Sequence, residues 1–416
     1  MKILSVVGTR PEAIKMAPVI RELAARAGAG VDSRVCVTGQ HREMLRQVMQ
    51  LFEITPDYDL DVMTARQTPT QVAAAVLRGI EEVLDRERPD WVLVQGDTTT
   101  VAATALAAFY GRCSVGHVEA GLRTFNRHEP FPEEINRRVA GVLADTHFAP
   151  TTGARDNLTA ERVDPSHIAV TGNTVIDALQ HVAALPLPDR LLPLLKRVGV
   201  RPDAGHAVAA DVATDPRLVL VTAHRRENFG APFVRICEAL RDLADEYRGS
   251  VRLVYPVHPN PNVREPVFRL LADHPHIVLV EPLEYVELVH LMKRSTLVIT
   301  DSGGIQEEAP SLGVPVLVLR DVTERPEAVD AGTVRLVGSD ADRITAEAQR
   351  LLDDRRAHEA MARAINPYGD GRAAWRIAQR VLGLPFTEFA APSTRAPRRT
   401  ELPPATSMGS VSAARS

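Results

Sequence analysis

The chain reads as an α/β protein with two doubly wound parallel-sheet domains in tandem. Three observations lead there. Short β-rich runs alternate with helical patterns from the first residues onward, and the same alternation starts afresh near Leu218. The interval between, Leu185 to Pro216, is rich in Pro, Asp and Ala and reads as a linker. Strands separated by helices form βαβ units and parallel sheets. Open parallel sheets bind ligands beyond the carboxyl ends of their strands, so two of them are expected to face each other across a cleft.

In the first half the strand-like runs are Ile3 to Val7, Arg34 to Thr38, Trp91 to Gln95, Ser114 to Val118, His147 to Ala149 and Ile168 to Thr171. In the second they are Leu218 to Thr222, Val251 to Tyr255, Ile277 to Val280, Leu297 to Thr300, Val314 to Leu319 and Val334 to Val337. The end from Pro385 on, made of Pro, Ser, Thr, Ala and Arg with little apolar content, is expected to be disordered. With 416 residues, 45% of them hydrophobic, the chain can bury proper cores, and its formal charge of −4 argues against nucleic-acid and membrane-surface partners. Cys36, Cys113 and Cys237 are far apart and form no CxxC, so they read as small hydrophobes in a reducing compartment. Met1 to Gly8 meets Arg10, Pro11 and Glu12 at once, unlike a signal peptide or a membrane span, so a soluble cytoplasmic protein is expected.

Reactive side chains gather at the strand exits. After the first run comes GTRPEAIK, where Pro11 fixes a helix start and leaves Arg10 to fork onto a phosphate or carboxylate, with Lys15 one turn on. QGDTTT places Asp97 just past a buried strand and ahead of three Thr residues, where capping the helix that Thr98 begins is one account of it. SVGHVEAGLRT ends a strand in Glu119, two residues after His117; a carboxylate in so apolar a place is costly unless it is paired or does chemistry. FPEEINRR puts Glu133 and Glu134 at a helix start with Arg137 and Arg138 one turn on, a pattern that surface ion pairing also explains.

The second half repeats the idea. VTAHRREN carries His224 at a strand exit and YPVHPNPNVREP carries His258 at the next. LVITDSGGIQEEAPSLG reads as strand, glycine corner and helix start. Its unpaired backbone N–H groups at Ser302, Gly303 and Gly304 form an anion site, with Glu307 and Glu308 one turn on and placed for a ribose. RDVTERPEA then offers Arg320 and Arg325 for phosphates or for docking the two halves. HRRE lacks the HExxH spacing, so no zinc site is expected. No GxGxxG opens the first strand-turn-helix, no Tyr is followed by Lys four positions later, and no GxxxxGK[ST] loop is present, which argues against nicotinamide and ATP chemistry.

GTRPEAIKMAP, QGDTTT, HVEAGLRT, FPEEINRR, HRREN, YPVHPNPNVREP, TDSGGIQEEAPSLG, RDVTERPEA and NPYGDGRA, in that order between Met1 and about Gly383, together closely resemble the non-hydrolysing bacterial UDP-N-acetylglucosamine 2-epimerases. The resemblance implies a GT-B-like fold. On that reading residues 1–185 carry the catalytic carboxylates and 186–216 the linker. Residues 217–365 hold the nucleotide, 366–384 cross back onto the first domain, and 385–416 form the tail. It also implies interconversion of UDP-N-acetylglucosamine and UDP-N-acetylmannosamine with no cofactor, by elimination of UDP to 2-acetamidoglucal and re-addition, supplying a cell-surface polysaccharide precursor.

The matching positions imply Asp97, Glu119, Glu133 and His224 as catalytic, the carboxylates with raised pKa values and His224 as a cation. Arg10, Lys15, His258, Ser302, Gly303, Gly304, Glu308 and Arg325 are implied in UDP binding. Gln40, His41 and Arg66 stand where some members bind a second UDP-N-acetylglucosamine as activator, although Glu43 departs from the regulated pattern. A homodimer is implied too. A 2-epimerase of a modified UDP-sugar such as a diacetamido uronic acid, a hydrolysing 2-epimerase, and a GT-B glycosyltransferase or silent nucleotide-sugar binder are the alternatives.

Overall fold

In a computed structural model of the chain, described for residues 1–39, 42–64, 67–203, 216–323 and 325–391, thirteen strands form two sheets. The first holds β1 (Lys2–Val7), β2 (Asp32–Val37), β3 (Tyr58–Asp59), β4 (Trp91–Gln95), β5 (Ser114–Val118), β6 (Thr146–Ala149) and β7 (Ile168–Val170). The second holds β8 (Arg217–Thr222), β9 (Val251–Pro256), β10 (Ile277–Val280), β11 (Leu297–Thr300), β12 (Val316–Val318) and β13 (Val334–Leu336). Every pairing is parallel. The spatial order is β3-β2-β1-β4-β5-β6-β7 in one sheet and β10-β9-β8-β11-β12-β13 in the other.

Both orders reverse direction once, between β1 and β4 and between β8 and β11, and the crevice of a doubly wound sheet opens at that reversal. The exits of those four strands carry Gly8 to Arg10, Gly96 and Asp97, His224, and Ser302. The apolar runs Ile3, Leu4, Val6, Val7 and Leu297, Val298, Ile299 are fully buried between helical layers, as parallel strands covered on both faces require.

The region expected as a linker contains a helical turn (Asp189–Leu191) and a helix (Leu192–Val198) whose Leu191, Leu195 and Val198 are buried. The helix Ala373–Val381 packs on the helices Arg10–Ala24 and Thr174–Ala183 of the first domain. Its first N–H groups, those of Ala373 and Ala374, donate to the Asp177 carboxylate at 3.2 and 2.8 Å.

The expected disorder does not begin at Pro385. Phe389 is 7% exposed, and its N–H donates to the Val170 carbonyl at 2.8 Å, while Val170 N–H donates to Oε1 of Glu388 at 3.1 Å. The physical reason is that β7 is an edge strand with unpaired backbone groups, and the chain returns to cover them. No described helix is long and apolar enough to cross a membrane.

Candidate functional site

Gly8 ends β1 where a side chain has no room, since a Cβ there would lie 2.5 Å from Oγ1 of Thr100 and 2.8 Å from Oγ1 of Thr38. The helix that follows starts at Arg10. Its Glu12 folds back to accept from Gly8 N–H at 2.6 Å and from the Thr9 hydroxyl at 3.0 Å, and burial pushes that carboxyl up to about 7. The result is a tight turn that presents Arg10 and Lys15 toward the second domain.

Facing them, Asp301 at the end of β11 is fully buried. Its Oδ2 accepts from His224 N–H at 2.9 Å, Arg225 N–H at 2.8 Å and the Asn228 amide at 3.2 Å, so one carboxylate pins the loop leaving β8. His224 stacks on His258 with ring centroids 5.4 Å apart and planes 9° from parallel. Nδ1 of His258 accepts from Asn260 N–H at 3.1 Å, which leaves the proton on Nε2. The helix Gly303–Ser311 begins behind Ser302, which makes no side-chain cap bond. The Ser302 N–H, expected to be unpaired, instead donates to Oγ1 of Thr300 at 2.9 Å, so the anion site narrows to the N–H groups of the helix start itself.

A cavity of about 390 Å³ lies at this junction, with Arg10, Lys15, His224, His258, Ser302, Gly304, Tyr285 and Glu308 on its wall. Glu308 accepts the Tyr285 hydroxyl at 2.6 Å, and burial first, then the neighbouring Glu307, pushes its carboxyl up to about 7. Burial also lowers the pKa of Arg10.

Behind the cavity a second set of charges crosses the domain junction. Nζ of Lys15 is bonded to Oε2 of Glu119, which also accepts from Nε2 of Gln95 at 2.8 Å. Arg325 Nε donates to Glu307 at 2.6 Å, and Glu307 accepts from the Asn173 amide of the first domain at 3.0 Å. Two carboxylates and two cations thus balance in a buried cluster, the condition under which such charges are tolerated. Glu119 holds a left-handed backbone, φ 62°, a conformation that costs a non-glycine residue about 1–3 kcal/mol and clusters at functional sites.

Of the three carboxylates predicted as catalytic, none is on the cavity wall itself. Glu119 stands one residue behind it, on Lys15. Asp97 is held by Arg137, Nε at 2.9 Å and Nη2 at 2.7 Å, and its backbone carbonyl accepts from the Asn136 amide at 2.9 Å. Glu133 is half-buried in the first turn of the helix Glu133–Leu143. Its neighbour Glu134 is fully buried and takes the structural part, accepting from the N–H groups of Thr124 and Phe125 and from Arg137. Gly303 sits inside the helix start, and Arg325 grips Glu307 rather than the cavity. Gln40, His41 and Arg66 lie outside the described residues.

Two electrostatic expectations are corrected. Glu119 is not raised: burial pushes it up, but Lys15, Arg325 and Arg137 outweigh burial and hold it below the usual carboxylate range. His224 is not held as a cation: burial, with His258 and Arg225 beside it, lowers its pKa against the pull of Asp301. Sequence reasoning also passed over Tyr285, Glu12, Gln95 and Asn173. Tyr285 opens a helix with no catalytic motif around it, and Gln95 and Asn173 act on partners that only the fold brings near. Glu12 acts on Gly8 and Thr9, so the Thr9-to-Glu12 spacing at the helix start is a local signal that could have found it.

Comparison with known proteins gives one answer. The family model for UDP-N-acetylglucosamine 2-epimerase matches residues 22–382. The UDP-N-acetylglucosamine 2-epimerase of Escherichia coli K12 is 53% identical over 377 residues, covering 91% of this chain and 97% of that protein. The Yersinia pestis enzyme of the same name is 53% identical over 379 residues, with the same coverage. Among solved structures, the Neisseria meningitidis UDP-GlcNAc 2-epimerase bound to UDP-GlcNAc aligns with a TM-score of 0.81 at 46% identity, covering 92% of this chain and all of that one. The Methanocaldococcus jannaschii enzyme in complex with UDP-GlcNAc and UDP aligns at 0.75 and 33% identity, covering 92% and 99%.

Proposed function

The chain belongs to the UDP-N-acetylglucosamine 2-epimerase family, and from that premise we propose that it interconverts UDP-N-acetylglucosamine and UDP-N-acetylmannosamine by non-hydrolytic elimination and re-addition of UDP. The observation that carries this reading is the wall of the junction cavity: Arg10, the stacked His224 and His258, and the open helix start at Ser302 converge on one space, while Glu308 stands one turn into that helix. That set suits a diphosphate and a ribose. The sugar then lies toward Lys15 and the exits of β4 and β5, where Asp97 and Glu119 stand.

In the forward step a carboxylate takes the proton from carbon 2, the bond from carbon 1 to the β-phosphate oxygen breaks with its electron pair leaving on UDP, and a carbon 1–carbon 2 double bond forms. In the return step UDP adds back to carbon 1 and a proton reaches carbon 2 on the opposite face. Two faces call for two acid/base groups, and Asp97, Glu119 and Glu133 are the candidates. A neutral His224 serves by donating a hydrogen bond to the departing phosphate.

The implied homodimer fits an exposed apolar face on the packed helices Thr99–Tyr110 and Glu133–Leu143, where Phe109, Tyr110 and Val142 are 57%, 71% and 85% exposed. The activator role of Gln40, His41 and Arg66 rests on resemblance alone.

Proton NMR in deuterium oxide tests the reaction. UDP-N-acetylmannosamine carrying deuterium at carbon 2 is the expected product. Free N-acetylmannosamine plus UDP in its place would make the enzyme a hydrolase and overturn the proposal.

A further inference from the structure

Both peptide planes that flank Asp97 are pinned by side chains from other elements. On one side His117 Nε2 lies 2.7 Å from the Gly96 carbonyl; a carbonyl only accepts, so Nε2 carries the proton. On the other side the Asn136 amide donates to the Asp97 carbonyl at 2.9 Å. A peptide is planar. Fixing the Gly96 oxygen therefore fixes the N–H of Asp97, and fixing the Asp97 oxygen fixes the N–H of Thr98. Between those planes only the φ and ψ of Asp97 remain, and its carboxylate is further held by Arg137.

His117 has no other evident task. It is 1% exposed, and among the described residues its Nδ1 finds no hydrogen-bond partner. Burial, with Arg123 and Arg137 in the same direction and Glu119 and the Gly96 bond opposing, lowers it to about 4, so it stays a neutral single donor through the working range. A buried polar ring with one bare nitrogen is costly to keep. Gly96 itself is left-handed, φ 82°, and needs holding because glycine is the least restrained residue.

We propose that His117 and Asn136 are positioning residues that clamp the backbone of Asp97 for proton transfer at carbon 2. This rests on Asp97 being one of the acid/base groups, and the test separates the two ideas. His117→Phe keeps the bulk of the ring and removes the donor; Asn136→Ala removes the other hold. Each is expected to lower kcat about 10- to 100-fold, the scale of a 1 Å misplacement, with KM for UDP-N-acetylglucosamine within about two-fold. The double variant is expected to fall short of the product of the two losses, since both act on one residue. His117→Gln, which restores an N–H donor, is expected to recover part of the kcat.

Asp97→Asn is measured first. If it turns over normally, the catalytic reading fails. If it is inactive while both His117→Phe and Asn136→Ala keep full kcat, the clamp alone is overturned. A loss confined to thermal stability, with kcat intact in the folded fraction, overturns the clamp as well. Should His117→Phe fail to fold, the kcat of Asn136→Ala decides.

Discussion

The Tyr285 hydroxyl donates to Oε1 of Glu308 at 2.6 Å, on the wall of the cavity that both residues line. Tyr285 is 6% exposed, so the bond forms away from bulk water, and it engages only one of the two carboxylate oxygens. Tyr285→Phe removes one buried bond to an ionisable group, worth about 1.5–3 kcal/mol. Affinity for UDP, measured by calorimetry, is expected to drop at least about ten-fold, with kcat at saturation changed far less. An unchanged affinity would show that Glu308 is placed without its help.

Glu308 itself makes stability depend on pH. Its folded pKa is raised to about 7 by burial, so the unfolded chain gives up that proton at lower pH than the folded one. The contribution is fully present below the unfolded carboxylate pKa, near 4.5, and is lost as pH rises through about 7. The slope in that window is at most about 1.4 kcal/mol per pH unit for one group. Glu308→Gln has no proton to lose. Its melting temperature is expected to decline less than that of the parent between pH 5 and 7, measured without ligand; parallel curves would count against the assignment. Glu12, raised to about 7 in the same way, stays in both proteins and cancels in the comparison.

The opposite sign applies to Glu119. Lys15, bonded to its carboxylate, is the largest influence opposing burial. Lys15→Met keeps most of the length of the side chain and removes the charge, which takes away the largest influence opposing burial, so the Glu119 pKa rises. The acid limb of the kcat profile is expected to move to higher pH, and kcat at neutral pH to fall. A profile that keeps its acid limb in place would separate Glu119 from the proton transfer.

How much of this the sequence discloses depends on the range over which each feature is encoded. Strand runs are local, and Trp91–Gln95, Ser114–Val118, Ile277–Val280 and Leu297–Thr300 are bounded as their apolar stretches suggest. β3 escapes because Tyr58 and Asp59 are only two residues with no alternation to detect. The glycine corner at Ser302 is legible for the same local reason. The charge state of Glu119 is not, because its partner Lys15 is 104 residues earlier. His224 reads as a cation until His258, from the next strand exit, is found stacked on it. The tail misleads by composition: Pro, Thr and Ala mask two phenylalanines, of which Phe389 is buried against an edge strand no sequence pattern identifies as an edge.

That strap gives the last prediction. Phe389 lies under Arg376, whose guanidinium carbon is 5.7 Å from the ring centroid, and beside Gly172, where a Cβ would come 3.6 Å from the ring. Arg376 in turn donates to the Thr387 and Thr171 carbonyls, each at 3.0 Å, and pairs with Asp370 at 2.7 Å. The aromatic ring therefore closes a local assembly of β7, the helix Ala373–Val381 and the returning chain. Burying a phenylalanine stabilises by about 1.5–3 kcal/mol, and Phe389→Ala should forfeit most of that, with a fall of several degrees in the melting temperature. Ending the chain after Leu384 removes the strap altogether and exposes the β7 edge, so its loss should be at least as large and accompanied by faster proteolysis near Val170. A truncated protein as stable as the full chain would mean that the strap rests on the edge without supporting it.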